Sequence, residues 1–379
     1  MKTDNNTPTF FIVAGEVSGD FHGGKLIEAI KKINPETRLV GHGGNKMQSA
    51  GLELIHHTDE MAIMGFSEVV KRLPFLLNVM GESLGELRRL RPHRIILIDY
   101  PGFNLRLAKN SHKLNIPITY FILPQLWAWK ENRIKYFHQF IDQSLSIFPF
   151  EPDWFQSRGV KTEYVGHPFS EITGSETPRD IFYKKHNIKT ADRILLLLPG
   201  SRQQEIDYHL EVYIDAAREV QKSEQDIKIL IGKAPGVSMP DFGGDILVES
   251  DDIRSAINYS TAAVTTSGTA SLECAVLDTP EVVCYKLSRV SGFLAKRLSK
   301  TQYVSMANLI SGREIVPELL QNEVRPQNIA KEIKPLINST NDRRAMLDGF
   351  SEVRRTLGLP GVYDRAAGAI LKRTTYGKP

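Results

Sequence analysis

Residues 10–33 read FFIVAGEVSGDFHGGKLIEAIKKI. An apolar run meets a turn rich in glycine and polar residues, then a helix whose Leu26, Ile27, Ile30 and Ile33 share one face. The unit recurs. RIILID (94–99) ends at YPGFN and leads into LRLAKNSHKL, and ITYFIL (118–123) ends at PQLWAW. ILLLLPGSR (194–202) opens a second series, continued by IKILIG (227–232), ILVES (246–250), AAVTTSG (262–268) and EVVCYK (281–286). Continuous apolar strands alternating with helices predict parallel sheet buried on both faces. Two series, with a break at GHPFSEITGSETPRD (166–180), predict two α/β domains in tandem.

The chain is long enough for that, with 379 residues, 41% hydrophobic and 24% charged. Cys274 and Cys284 are too few for a disulfide framework or a four-cysteine zinc site. The net charge of +4 does not point to nucleic acid across the whole surface. No run reaches the length of a spanning helix, and the first residues do not read as a signal peptide. A cytoplasmic protein is expected, with attachment to a membrane surface left open.

Ligands of open parallel sheets collect beyond the carboxyl ends of the strands, so the turns carry the functional reading. GDFHGGKL (19–26) nearly matches a phosphate-binding loop, with Lys25 in the lysine slot and RIILID as its aspartate strand. Leu26 stands where a magnesium-coordinating hydroxyl is needed, which argues against an ATPase. A bare strand-to-helix turn is one alternative. Another is a cleft wall offering backbone N–H groups and Glu16, Ser18 and Asp20 to a polar substrate. GHGG (41–44) lacks the last glycine of a dinucleotide fingerprint and reads as a turn. Asp99 closes a strand before Tyr100-Pro101-Gly102 and reads either as a cap or as a general base for a substrate hydroxyl.

In the second series, LPGSR (198–202) and TTSGTASLE (265–273) each follow a strand. Small residues at a helix N-terminus, with Arg202 for a forked contact and Glu273 for ribose hydroxyls, suit a nucleoside diphosphate. Two capped helices with a surface arginine are the plain alternative. There is no D-x-D pair to hold a diphosphate through magnesium, which fits a metal-independent enzyme, and His56-His57 is no metal spacing.

The chain resembles the lipid-A-disaccharide synthases. The residues that carry the resemblance are AGEVSGD (14–20), MAIMGFSEV (61–69), IDYPGFN (98–104), PQLWAWK (124–130), FPFE (148–151), GHP (166–168), LPGSR (198–202), SGTASLE (267–273) and LAKRLSKTQYVSMANLISGRE (294–314). They run in order along nearly the whole chain. The resemblance implies a GT-B architecture, two Rossmann-like domains facing a cleft, and no cofactor. Residues 1–168 would form the acceptor- and membrane-facing domain and 169–345 the UDP-sugar domain, with 346–379 packing back on the first. It implies inverting transfer from UDP-2,3-diacylglucosamine to 2,3-diacylglucosamine 1-phosphate, giving the β-1,6-linked disaccharide 1-phosphate and UDP. Asp99 would be the catalytic base. Gly200, Ser201, Arg202, Ser267, Gly268, Thr269, Ala270, Glu273 and Asn308 would bind UDP. Gly15, Glu16, Ser18, Asp20, Met64, Asn104, Gln125 and Trp127 would line the acceptor side. At Tyr100-Pro101-Gly102 the chain departs from the family, which has a smaller residue before the proline and an acidic one after it.

Lipid substrates bring the segment KRLPFLLNVMGESLGELRRLRPHR (71–94) into view, with six Lys/Arg against two Glu. Leu73, Phe75, Leu76, Val79 and Met80 are the expected acyl- or membrane-facing residues. The alternative is an amphipathic helix packed on its own sheet. Residues 285–300, with five Lys/Arg and no acid, are a weaker second candidate for the same anionic leaflet. The expected location is the inner face of the inner membrane, held peripherally, with no nucleic-acid partner and a homodimer left open.

Overall fold

The computed structural model describes residues 7–61, 66–266, 268–286 and 301–375, without the side chains of 66–73 and 375. Residues up to Pro168, together with the segment from Pro360, make one compact unit; Phe169–Leu359 makes the other.

The first unit is built on a seven-stranded parallel sheet: β1 Thr9–Val13, β2 Arg38–Gly43, β3 Glu53–His57, β4 Arg94–Ile98, β5 Ile118–Phe121, β6 Gln143–Ser146 and β7 Thr162–Tyr164. The strand order is β3-β2-β1-β4-β5-β6-β7. Every residue of β4 is buried, as is nearly all of β1, which is why both are apolar without alternation beyond their first residues, Arg94 and Thr9. The connecting helices are α1 Val17–Ile33, α2 Asn45–Ser49, α3 Thr58–Met61, α4 Phe66–Leu90, α5 Pro101–Ser111, α6 Ile134–Phe140 and α7 Glu151–Gln156.

GDFHGGKL lies inside α1, so its glycines cradle nothing. A Cβ at Gly23 would come within 2.5 Å of the Met47 sulfur, so glycine there lets α1 and α2 touch. Lys25 pairs with Glu28 at 3.0 Å. The phosphate-loop reading is overturned. GHGG is the end of β2 and the cap of α2 rather than a separate turn.

The second unit has a six-stranded parallel sheet: β8 Arg193–Leu198, β9 Ile227–Gly232, β10 Leu247–Glu249, β11 Ala262–Thr265, β12 Glu281–Tyr285 and β13 Glu318–Leu320. The order is β10-β9-β8-β11-β12-β13. Its helices are α8 Arg179–Lys185, α9 Gln203–Gln221, α10 Ile253–Tyr259, α11 Thr269–Val276, α12 Met306–Ser311, α13 Pro326–Ile337 and α14 Asn341–Leu357.

The expected return of the chain at residue 346 is corrected. α14 stays on the second unit, burying Met346, Phe350, Val353 and Leu357 there and bonding Thr261 through Arg343. Only α15, Val362–Thr375, belongs to the first unit. It lies against α1, where Tyr363 meets His22 at 2.9 Å and Asp364 meets Lys32 at 3.3 Å. The buried Arg94 bonds the Arg373 carbonyl at 3.2 Å, and Gln143 bonds that of Ala369 at 3.1 Å.

α4 settles the apolar stretch of 71–94. Val79 is fully buried and Met80 nearly so, both within the core that β1, β4 and β5 build. Phe75 and Leu76 pack half-buried on the same core. Val79 and Met80 therefore do not face a membrane or an acyl chain; they are the stripe by which the helix holds its sheet. Leu77, on the other side, is 61% exposed. The side chain of Leu73 and residues 287–300 lie outside the described residues. Among the described residues no helix is long and apolar enough to cross a membrane.

Candidate active site

In each sheet the strand order reverses once, and the crevice beyond the strand ends at that point is where open α/β sheets receive ligands. In the first unit the reversal falls between β1 and β4, paired in register from Phe10↔Arg94 to Val13↔Leu97. The turns that leave there carry Gly15-Glu16 and Asp99-Tyr100. In the second it falls between β8 and β11, with Leu198 opposite Thr265. The turns there carry Gly200-Ser201-Arg202 and the segment ending at Gly268-Thr269-Ala270.

Asp99 is partly buried, and both it and Tyr100 are left-handed, with φ of 42° and 46°. For side chains other than glycine that conformation costs roughly 1–2 kcal/mol each. The surroundings impose it. The Asp99 carbonyl accepts from Asn104 Nδ2 at 2.8 Å and from the Tyr120 hydroxyl at 2.5 Å. Asn104 also donates to the Ile98 carbonyl at 3.1 Å. Tyr100 lays its ring over Gly15 and donates its hydroxyl to the Met61 carbonyl at 2.9 Å. Burial pushes the Asp99 carboxyl up to about 6, helped by the charge of Glu16 and opposed by the Tyr100 N–H. A carboxylate so poised can take a proton from a hydroxyl near neutral pH.

Glu16 and Ser18 are exposed at the start of α1, and Gln125 is exposed in the turn after β5. Asp20 is buried, and its two oxygens accept the N–H groups of Gly44 at 2.6 Å, Lys46 at 3.0 Å and Met47 at 3.0 Å. It caps α2 from a neighbouring helix, so its expected contact with substrate is corrected: no oxygen is left over. Trp127 is corrected likewise. Its ring is buried and its indole N–H donates at 3.1 Å to Glu151, itself fully buried and pushed up to about 8 by burial. Asn104 acts through the backbone of Asp99. Met64 lies outside the described residues.

In the second unit Glu205, in the first turn of α9, folds back so that Oε2 accepts the Ser201 N–H at 2.8 Å and the Arg202 N–H at 3.3 Å. The chain's own carboxylate thus fills the turn that was expected to offer Gly200 and Ser201 to a phosphate. The Arg202 side chain remains exposed above it. α11 begins at Thr269, which is exposed; its N–H groups and dipole favour an anion. Glu273 is bonded to Arg254 at 3.0 Å through one oxygen.

Beneath this turn lies a group the sequence did not announce. Glu281, fully buried at the head of β12, accepts the Thr265 hydroxyl at 2.7 Å and the Ser271 hydroxyl at 2.8 Å. Burial pushes it up to about 8. It ties the end of β11 to the first turn of α11. Ser267 lies outside the described residues. Asn308 is corrected as a nucleotide contact. It is fully buried, donating to the Val316 carbonyl and Glu318 and accepting from Ile315 and Val316, with every polar atom of its amide engaged. Among the described residues no group of three His, Cys, Asp or Glu is arranged to hold a metal.

A family model described as "Lipid-A-disaccharide synthetase" matches residues 10–359. Lipid-A-disaccharide synthase of Acidobacterium capsulatum is 36% identical over 378 residues, covering 94% of each chain. That of Myxococcus xanthus is 34% identical over 381 residues, covering 98% of this chain and 99% of its own. Among solved structures, the S. aureus MnaA–UDP co-structure has a TM-score of 0.64 at 13% identity, over 98% of this chain and 99% of its own. CalG4, the calicheamicin glycosyltransferase, has 0.61 at 13%, over 99% and 100%. At such identities the structures speak for the fold alone: two parallel-sheet α/β domains of the GT-B class. Together, the match along the chain and the relatives over nearly its whole length show that it belongs to the lipid-A-disaccharide synthase family.

Proposed function

We propose that the chain transfers 2,3-diacylglucosamine from UDP-2,3-diacylglucosamine to 2,3-diacylglucosamine 1-phosphate, forming the β-1,6-linked disaccharide 1-phosphate and UDP. The observation that carries the reading is the Asp99 carboxyl, at the sheet's reversal point and pushed up to about 6 by burial. Asp99 takes the proton of the acceptor 6-hydroxyl as that oxygen attacks the donor's anomeric carbon. The bond from that carbon to the UDP oxygen breaks on the opposite face, so the configuration inverts. The second unit holds the nucleotide: Arg202 and the N-terminus of α11 at Gly268–Ala270 meet the diphosphate charge, without a metal ion.

Lipid substrates imply a peripheral seat on the inner face of the inner membrane. Support for it within the described residues is reduced to Leu77, exposed on a helix that ends in Arg88 and Arg89. A homodimer belongs to the same proposal, with no feature of the described residues assigned to it.

Mass spectrometry of products from synthetic donor and acceptor tests the reaction, anomeric coupling in the product tests inversion, and turnover in a chelator tests metal independence. Asp99→Asn keeps the shape and removes the base, and should lower kcat by roughly 10²–10⁴ with UDP affinity unchanged. Near-normal turnover in that variant refutes the assignment.

A further inference from the structure

We infer that Tyr100 is a positioning residue for the proposed proton transfer: its ring against Gly15 and its hydroxyl on the Met61 carbonyl hold the Asp99 carboxyl in one direction and away from bulk water. The inference rests on the reading of Asp99 as base.

Three observations carry it. Tyr100 follows Asp99 directly, both are left-handed, and the Tyr100 N–H bonds the Asp99 carboxyl, so whatever fixes the tyrosine backbone bears on the aspartate. A Cβ added at Gly15 would come within 2.2 Å of the Tyr100 ring, so the ring covers the backbone where β1 leaves the sheet. The hydroxyl then reaches 2.9 Å to the Met61 carbonyl, at the end of α3, and the ring stacks on Phe103 with centroids 6.0 Å apart. The tyrosine therefore ties the Asp99 turn to the turn after β1, to α3 and to α5. The Tyr100 ring is half-buried and packs on the edge of the domain's core, so its removal is expected to cost some stability as well as alignment.

The charges around the carboxyl allow its titration to report the latch. Glu16, from the turn before α1, raises Asp99; Glu151, at the head of α7, and Tyr120, on β5, are themselves raised by it. Arg133 acts on Tyr120. Burial is the largest influence on Asp99, and under the proposed latch the Tyr100 ring supplies part of it.

The test is the pH dependence of kcat/KM for the acceptor in four proteins. Wild type should lose activity below about 6, as the base protonates. Tyr100→Ala should move that limb toward the ordinary aspartate value of about 3.9. At about pH 5 the ionised fraction of the base then rises roughly tenfold, while kcat at neutral pH falls because the carboxyl is no longer aimed. Gly15→Ala should act the same way from the other side, by pushing the ring off. Tyr100→Phe keeps the cover and loses only the Met61 bond, so its limb should stay while kcat falls severalfold. The acceptor phosphate titrates in the same range, but equally in all four, so the readout is the difference between variants. Melting curves establish that each variant is folded, and should Tyr100→Ala fail to fold, Gly15→Ala decides. An unmoved limb in the folded alanine variants overturns the latch. A wild-type profile without that limb, or full turnover in Asp99→Asn, overturns the base assignment and the latch with it.

Discussion

Replacing Glu281 by Gln should abolish a loss of stability in the second unit that wild type suffers as pH rises from about 4.5 to about 8. In the folded chain burial holds this carboxyl protonated to about 8, against an ordinary value of 4.5. A folded value above the unfolded one means the unfolded chain gives up its proton first. Stability is then full below about 4.5 and drains away as pH rises toward 8. At about 1.4 kcal/mol per pH unit, the span amounts to about 5 kcal/mol as a ceiling, reduced by any water that reaches the ionised group. For a unit of this size that is on the order of 10 °C in Tm. Glutamine has nearly the same shape. Its oxygen can accept one hydroxyl and its NH₂ can donate to the other, so the Thr265 and Ser271 contacts survive without a titrating proton. The variant should equal wild type within about 1 kcal/mol near pH 5 and exceed it by a few kcal/mol near pH 9. Hydrogen exchange of the β11 and α11 amides at several pH values reads this unit alone. Glu151 in the other unit, also pushed up to about 8, is untouched and keeps its own dependence there. UDP affinity should follow, because the ionised wild-type carboxyl loosens the turn that Thr265 and Ser271 frame. Parallel exchange profiles for the two proteins across the whole range would falsify the idea that Glu281 is buried as the acid.

Arg202→Ala should lose about 1.5–3 kcal/mol of UDP binding by calorimetry, and Arg202→Lys should recover only part, since a point charge cannot fork. Unchanged affinity in the alanine variant removes Arg202 from the nucleotide site. Val79→Ser should cost about 2–4 kcal/mol of stability through a cavity and a buried hydroxyl, whereas Leu77→Ser should change stability by under about 0.5 kcal/mol and reduce flotation with anionic liposomes. The opposite ranking in melting curves contradicts the burial described for α4. Asn308→Ala should lower stability by about 2–4 kcal/mol, because the Ile315 and Val316 N–H groups lose their acceptor in a buried place. UDP affinity lost at full stability would instead restore Asn308 to the nucleotide site.

The strands that frame both reversal points were legible because full burial leaves apolar runs ended by glycine or proline turns. β6 was not. Its Gln143, Ser144 and Ser146 are buried polar residues, with Gln143 bonded to Thr119 and to the Ala369 carbonyl and Ser146 to the Phe148 carbonyl, so its text looks like a loop. β13 is three residues long and offers no pattern. The Asp99 turn and the Arg202 turn stood out by their position after such strands. Which side chains in those motifs turn outward was not legible, since aspartate and asparagine satisfy backbone N–H groups as readily as they meet ligands; Asp20 and Asn308 do the former. The α4 stripe misled for a similar reason: a face that grips its own sheet and a face that meets lipid use the same residues. Glu205 three residues after Arg202 is a capping pattern that could have been read. Glu281, an acid opening an otherwise apolar strand, gave a faint signal, and the left-handed pair at Asp99-Tyr100 gave none, because three-dimensional contacts impose it.

The return of α15 to the first unit has a consequence for how the protein is made. A ribosome delivers the parts of the second unit, Phe169–Leu359, as one continuous stretch, and that unit can close as soon as it has emerged. The first unit cannot. Its seven strands are finished long before, yet His22 and Lys32 of α1, and the charge of Arg94, wait for the partners that the last helix brings. At ordinary elongation speeds the wait is on the order of ten seconds or more. During that interval the first unit lacks its last helix, and the order of completion runs opposite to the order of synthesis.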